Sequence, residues 1–187
     1  TIAVIIYIRK YKIRVIHFAD AMAPTMLFAY AAGRIGCHMS GDGDWGIPNF
    51  NPKPFAWMPD WMWAYTYPHN VVNEGVAIPG CIGNYCNQLP VPVYPTTLFE
   101  IIGTFILFGI MWMMRKRITQ PGILTGIYLI FAGSERFLVE KIRVNNRIHS
   151  LPFEPTQAEL ISTILILAGI VFLVGSKKWF PKSISNA

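Results

Sequence analysis

Three short clusters of basic residues each stand at the edge of a long apolar run, and that alternation leaves one kind of structure open to the chain. The clusters are Arg9, Lys10, Lys12 and Arg14; Arg115, Lys116 and Arg117; and Lys177, Lys178 and Lys182. Together they hold ten of the sixteen Lys and Arg residues. Lysine and arginine gathered beside apolar segments form the flank pattern of membrane helices. Only 14% of residues are charged, against about a quarter in a soluble domain. A soluble enzyme, a disordered tail and a disulfide scaffold are thereby excluded. The net charge of +6 is accounted for by the flanks, so no nucleic-acid partner is expected.

A spanning helix needs about 20 mostly apolar residues. Residues 17–36, 94–114, 122–139 and 157–175 supply four such segments, and residues 1–8 supply part of a first. Backbone in lipid must satisfy its own hydrogen bonds, so these segments are helices. The expected fold is all-α, a polytopic transmembrane bundle of about four full spans and a partial first helix, forming one membrane domain over residues 1–187. Placing Arg9 to Arg14 in the cytoplasm puts all three basic clusters on that side. The long loop over residues 47–93 is then external, as are Lys141, Arg143 and Arg147. The chain opens at Thr1 inside an apolar run with no Met, which reads as a truncated start.

The external loop has 47 residues, eight of the fourteen prolines, and no helical or strand period. It is too aromatic for a free coil, with Trp45, Phe50, Phe55, Trp57, Trp61, Trp63, Tyr65 and Tyr67 at its start. Either it rests at the headgroup level as an aromatic belt, or it is a lid over a lipid or peptide site. Cys81 and Cys86 pair in this loop if the compartment is oxidising.

Chemistry concentrates in two stretches. Residues 33–46, GRIGCHMSGDGDWG, end the 17–36 helix at its outer side and carry Arg34, Gly36, Cys37, His38, Ser40, Asp42 and Asp44. An arginine at bilayer depth faces the bundle interior and pairs with a counter-charge, for which Asp20, Glu135 and Glu140 are candidates. Its planar fork also suits a phosphate. Asp42 and Asp44 are too few ligands for a cation site, and neither metal nor cofactor is expected. The second stretch, residues 135–143, places Arg136, Glu140 and Arg143 at i, i+4, i+7, hence on one helix face. Two guanidiniums there bracket a carboxylate, as an ion-pair ladder or as a receiver for an anionic headgroup. Residues 94–100, YPTTLFE, open the third full span, with Pro95 in the first turn and Glu100 just inside. His38 is a weak acid–base candidate and Cys37 a packing residue.

At these residues the chain resembles the prolipoprotein diacylglyceryl transferase family of bacterial inner-membrane enzymes. The family's Gly-Arg-Ile/Leu-Gly-Asn-Phe-x-Asn-Gly-Glu is matched in frame by Gly33 to Asp42. Its His-Pro-Ser/Thr-Gln-Leu-Tyr-Glu is matched by Tyr94 to Glu100, and its Tyr-Gly-x-x-Arg-Phe-x-x-Glu-Phe-x-Arg by Ala132 to Arg143. A closing Gln-x-x-Ser corresponds to Glu159 and Ser162. The arginines and Glu100 and Glu140 are kept. Cys37, His38, Ser40 and Asp42 replace an asparagine, an aromatic, an asparagine and a glutamate, while Tyr94 and Ala132 replace a histidine and a tyrosine. The family's upstream helices, with a His-Gly-Gly segment tied to catalysis, have no counterpart, so residues 1–187 alone are expected to be inactive.

The resemblance implies that the diacylglyceryl group of phosphatidylglycerol moves to the lipobox cysteine thiol of a prolipoprotein at the external, periplasmic face. It implies catalytic roles for Arg34, Arg136 and Glu140. It also implies substrate contacts for Arg34, Gly36, Ser40, Asp42, Glu100, Arg136 and Arg143. A non-catalytic protein of the same fold, binding lipid headgroups or lipoproteins, is the alternative.

Overall fold

The computed structural model describes residues 2–143 and 155–180. Arg147 and Lys182, which entered the charge pattern above, lie outside the described residues. Among the described residues, five α-helices run in chain order: α1 (Ile2–Lys10), α2 (Val15–Ser40), α3 (Thr96–Met114), α4 (Ile123–Glu140) and α5 (Gln157–Trp179). Three of them, α2, α3 and α5, are long and apolar enough to cross a membrane. The fold is an all-α membrane helix bundle with very little sheet.

The first departure from the sequence reading lies in α2. The sequence places the end of this span at Gly36, yet the helix continues through Ser40. A side chain at Gly33 or Gly36 would meet nothing within 4 Å, so neither glycine marks a tight turn. The helix ends instead at Gly41, whose φ of 61° is left-handed and whose amide donates to the Cys37 carbonyl. That extension adds a turn and sets Arg34 and His38 four residues apart on one helix face. Pro24, inside α2 and buried, removes one donor from the ladder.

The partners of α4 also differ from expectation. Among the described residues, Asp20 of α2 pairs with no arginine. Its carboxylate accepts from the Gly122 and Thr125 amides at 2.6 and 2.8 Å and from the Thr125 hydroxyl at 2.6 Å. It caps the start of α4, where backbone donors have no partner within the helix. At the same end of the bundle, Gln120 Nε2 donates to the Ser176 and Phe180 carbonyls at the close of α5. Ala23, Leu27, Met111 and Leu124 pack beside this end as a buried cluster.

Small residues let α4 and α5 approach closely. A Cβ added at Gly169 would lie 2.7 Å from the Gly126 carbonyl, and one at Gly133 would lie 2.8 Å from the Ser162 carbonyl. Gly126 and Gly133 on α4 are seven residues apart, as are Ser162 and Gly169 on α5, so the close contact holds over two turns. A capping box of Thr156 and Glu159 starts α5, and Lys141 pairs with Glu159 across the two helices.

The segment between α2 and α3 is folded despite having no regular period. Asn70, fully buried, donates from Nδ2 to the Tyr67, Glu74 and Asn87 carbonyls, and its Oδ1 accepts from the Glu74 amide. A two-residue pair, β1 (Val76–Ala77) with β2 (Asn87–Gln88), runs antiparallel with Val76 opposite Gln88. Cys81 and Cys86 form a disulfide between those strands. Trp45, Tyr67, Leu89 and Val93 make a second buried cluster. Backbone bonds from Gly46 to Tyr94 and from Ile47 to Ile142 hold the segment across the ends of α3 and α4. Phe50, Phe55, Trp57 and Trp61 remain exposed.

Candidate active site

Glu100 sits one turn into α3 with its side chain 1% exposed, a burial a carboxylate tolerates only when it is paired. Three arginines converge on it. Arg34 Nε is 2.6 Å from Oε2, Arg136 is 3.5 Å from Oε1 and Arg143 is 3.9 Å from Oε1. Asp44 joins the cluster from below the end of α2, paired with both Arg34 and Arg143. Tyr30, one turn before Arg34, accepts from Arg34 Nε at 3.1 Å. Three guanidiniums thus face two carboxylates, and the cluster keeps one positive charge in excess.

Arg143 was expected to extend the α4 face beyond Glu140. It lies past the end of that helix, in a backbone bridge with Gly46. Its side chain is 10% exposed. Burial, and then the like charge of Arg34, pull it below the ordinary arginine value. Arg136 is less committed. Its side chain is 31% exposed and its described ion pair is the 3.5 Å contact with Glu100.

Arg34 and Arg136 open onto one cavity of about 420 Å³ between α2, α3 and α4. Its wall also includes Met26, Leu27, Tyr30, Thr104, Tyr128, Ala132 and Glu135. Ala132, where the resembled family has tyrosine, therefore leaves room in the cavity. Two guanidiniums on the wall of one cavity suit a phosphate ester.

The other proposed positions fall differently. Gly36 faces open space on α2. The Ser40 hydroxyl donates to the Cys37 carbonyl at 3.3 Å. Asp42 is exposed, and its Oδ1 accepts from the Asp44 amide at 3.3 Å. Among the described residues, these three take no part in the ion-pair cluster. Glu140 is buried at the C-terminal end of α4.

Next to the arginines lies a second layer, built on His38, the acid–base candidate of the sequence, and on Thr97, which the sequence did not single out. His38 is one turn beyond Arg34 and Thr97 one turn before Glu100. His38 Nδ1 is 3.0 Å from Thr97 Oγ1, and Tyr67 Oη is 3.1 Å from the same oxygen. Trp61, Tyr65 and Tyr67 surround the imidazole, with ring centres 5.7 to 6.5 Å away. Burial pushes the Tyr67 phenol up to about 12, so it is a neutral hydroxyl at physiological pH. Helical spacing could have found Tyr30 and Thr97. The family motif singles out Asp42, and no sequence signal pointed to Asp44, which joins the cluster instead.

The fold and site define a helical membrane protein whose buried arginine–carboxylate cluster opens onto a cavity of about 420 Å³. The chain belongs to the prolipoprotein diacylglyceryl transferase family, whose model matches residues 1–175. Among its relatives are proteins named phosphatidylglycerol–prolipoprotein diacylglyceryl transferase in three bacteria. The Leptospira interrogans protein is 27% identical over 97% of this chain and 57% of its own length. The Corynebacterium efficiens protein is 29% identical over 100% of this chain and 54% of its own. The Symbiobacterium thermophilum protein is 27% identical over 96% and 56%. The chain spans about half the length of the curated relatives it matches.

Proposed function

We propose that this chain carries the phosphate-binding part of a phosphatidylglycerol–prolipoprotein diacylglyceryl transferase of the bacterial inner membrane. The observation that carries the reading is the shared cavity of Arg34 and Arg136, both held from behind by buried Glu100. Family membership and the names of the relatives support phosphatidylglycerol and a prolipoprotein as substrates; the lipobox cysteine as acceptor is part of the proposal.

In the reaction, the thiol proton passes to a base and the thiolate attacks the glyceryl carbon of phosphatidylglycerol. A C–S bond forms, the C–O bond to phosphate breaks, and glycerol-1-phosphate leaves with the bonding electrons. Charge therefore grows on the departing phosphate. Arginines already oriented by Glu100 stabilise that charge without reorganising, and a poorly hydrated site strengthens the attraction. Arg136 contacts the phosphate with its uncommitted donors. Arg34 contacts it from α2 in the same cavity, and Arg143 with Asp44 fixes the cluster's outer edge. The basic clusters face the cytoplasm, α4 completes the bundle as a fourth span, and the arginine end faces outward with the 47–93 segment over it.

The test is diacylglyceryl transfer from phosphatidylglycerol to a lipobox peptide, in membranes holding the protein expressed from its native reading frame. Arg34→Lys keeps the charge and loses the fork, and transfer should fall about 10²-fold. Near-normal transfer by the lysine variant would rule out bidentate phosphate recognition. Lipid binding without any transfer by the unsubstituted protein would favour a headgroup-binding role instead.

A further inference from the structure

Two polar groups beside the arginine cavity have no partner among the described residues. Thr104 is 1% exposed, and its Oγ1 makes no hydrogen bond. Glu135 Oε1 is likewise buried and unpartnered. Both residues line the cavity that Arg34 and Arg136 open onto. A buried polar group without a partner costs about 1–3 kcal/mol, and native structures hold few of them. Two on one wall, from different helices, mark groups that a ligand completes.

The placement says what the ligand offers. Thr104 is four residues after Glu100 on α3, one turn deeper and roughly 6 Å beyond the arginine layer. That is about the span from a phosphate to the end of a three-carbon polyol. A hydroxyl can donate to the Glu135 carboxylate and both accept from and donate to Thr104. An ammonium headgroup would also suit Glu135 taken alone. Arg34 and Arg136 on the same wall repel it. A phosphate carrying a short neutral chain with free hydroxyls satisfies all four residues, and Ala132 leaves it space.

We propose that Thr104 and Glu135 are specificity-determining residues that bind the free hydroxyls of a glycerol-type phospholipid headgroup, behind the phosphate held by Arg34 and Arg136. The inference rests on the phosphate-binding reading of those arginines. It differs from that reading in predicting discrimination between two anionic lipids of equal charge.

The experiment compares phosphatidylglycerol with phosphatidylethanol, whose headgroup has the same phosphodiester charge and no hydroxyl. Binding of each short-chain lipid to the detergent-solubilised protein is measured directly, with free glycerol phosphate as a third ligand to separate lipid from soluble product. The unsubstituted protein should favour phosphatidylglycerol by about tenfold, the equivalent of one net hydrogen bond. In Thr104→Val that ratio should fall toward one while phosphatidylethanol binding stays unchanged. In Glu135→Gln the ratio should also fall toward one, although losing a carboxylate beside the arginines tightens binding of both anionic lipids. Free glycerol phosphate should follow phosphatidylglycerol in its sensitivity to both substitutions. Arg34→Ala should weaken all three ligands together. Equal binding of both lipids by the unsubstituted protein, or an unaltered ratio in both variants, would overturn the proposal and leave the phosphate reading standing. Binding insensitive to Arg34→Ala would overturn both.

Discussion

Replacing Glu100 by glutamine keeps the side chain's shape and removes the one charge on which three arginines converge. At an effective dielectric of about 20, the contacts at 2.6, 3.5 and 3.9 Å carry roughly 6, 5 and 4 kcal/mol of gross Coulomb attraction. Desolvating the four groups offsets most of that. What remains measurable is the penalty for leaving buried guanidiniums without their counter-charge, about 3–5 kcal/mol when one partner of a buried pair is removed. The value applies here because the arginine side chains are only 10 to 31% exposed. Equilibrium unfolding in mixed detergent micelles, followed by tryptophan fluorescence, reads the loss. A second substitution tests the cause. Arg143→Gln in the Glu100→Gln background should restore part of the stability, because it removes one of the mutually repelling charges. A loss below about 1 kcal/mol, or strictly additive effects of the two substitutions, would refute the account of Glu100 as the cluster's electrostatic centre.

The remaining predictions concern the bundle. Asp20→Ala should cost about 1–2 kcal/mol by uncapping α4, and Asp20→Asn should cost less; an unchanged unfolding midpoint for the alanine variant counts against the cap. Gly169→Leu should force α4 and α5 apart at a cost of about 1–3 kcal/mol. Gly103→Leu, where an added Cβ meets nothing within 4 Å, should stay within about 0.5 kcal/mol, and similar losses for both would dismiss close helix packing as the reason. In a Cys-free background, single cysteines at positions 53 and 119 should label from opposite sides of the membrane; labelling from one side for both rejects the proposed orientation.

What could be read from the residues alone is what depends on local composition. An apolar run of spanning length must be helical in lipid, because no other backbone arrangement satisfies its own hydrogen bonds there. The all-α membrane bundle followed from that, and so did the expectation that Arg34 needs a counter-charge. The identity of that counter-charge did not. Arg34 meets Glu100, 66 residues away in sequence, and Asp44 rather than Asp42 completes the cluster. Asp20 looked like an ion-pair partner and instead caps a helix beginning more than 100 residues later. Arg143 looked like the top of a helix face and instead bridges to Gly46 after α4 has ended. The loop after α2 showed no period, yet Asn70 organises it through carbonyls up to 17 residues away. In each case a polar group takes the partner that the folded chain, helix or loop, brings within reach. Sequence spacing reports that distance only along a single helix, so the partner across helices was decided by the tertiary structure.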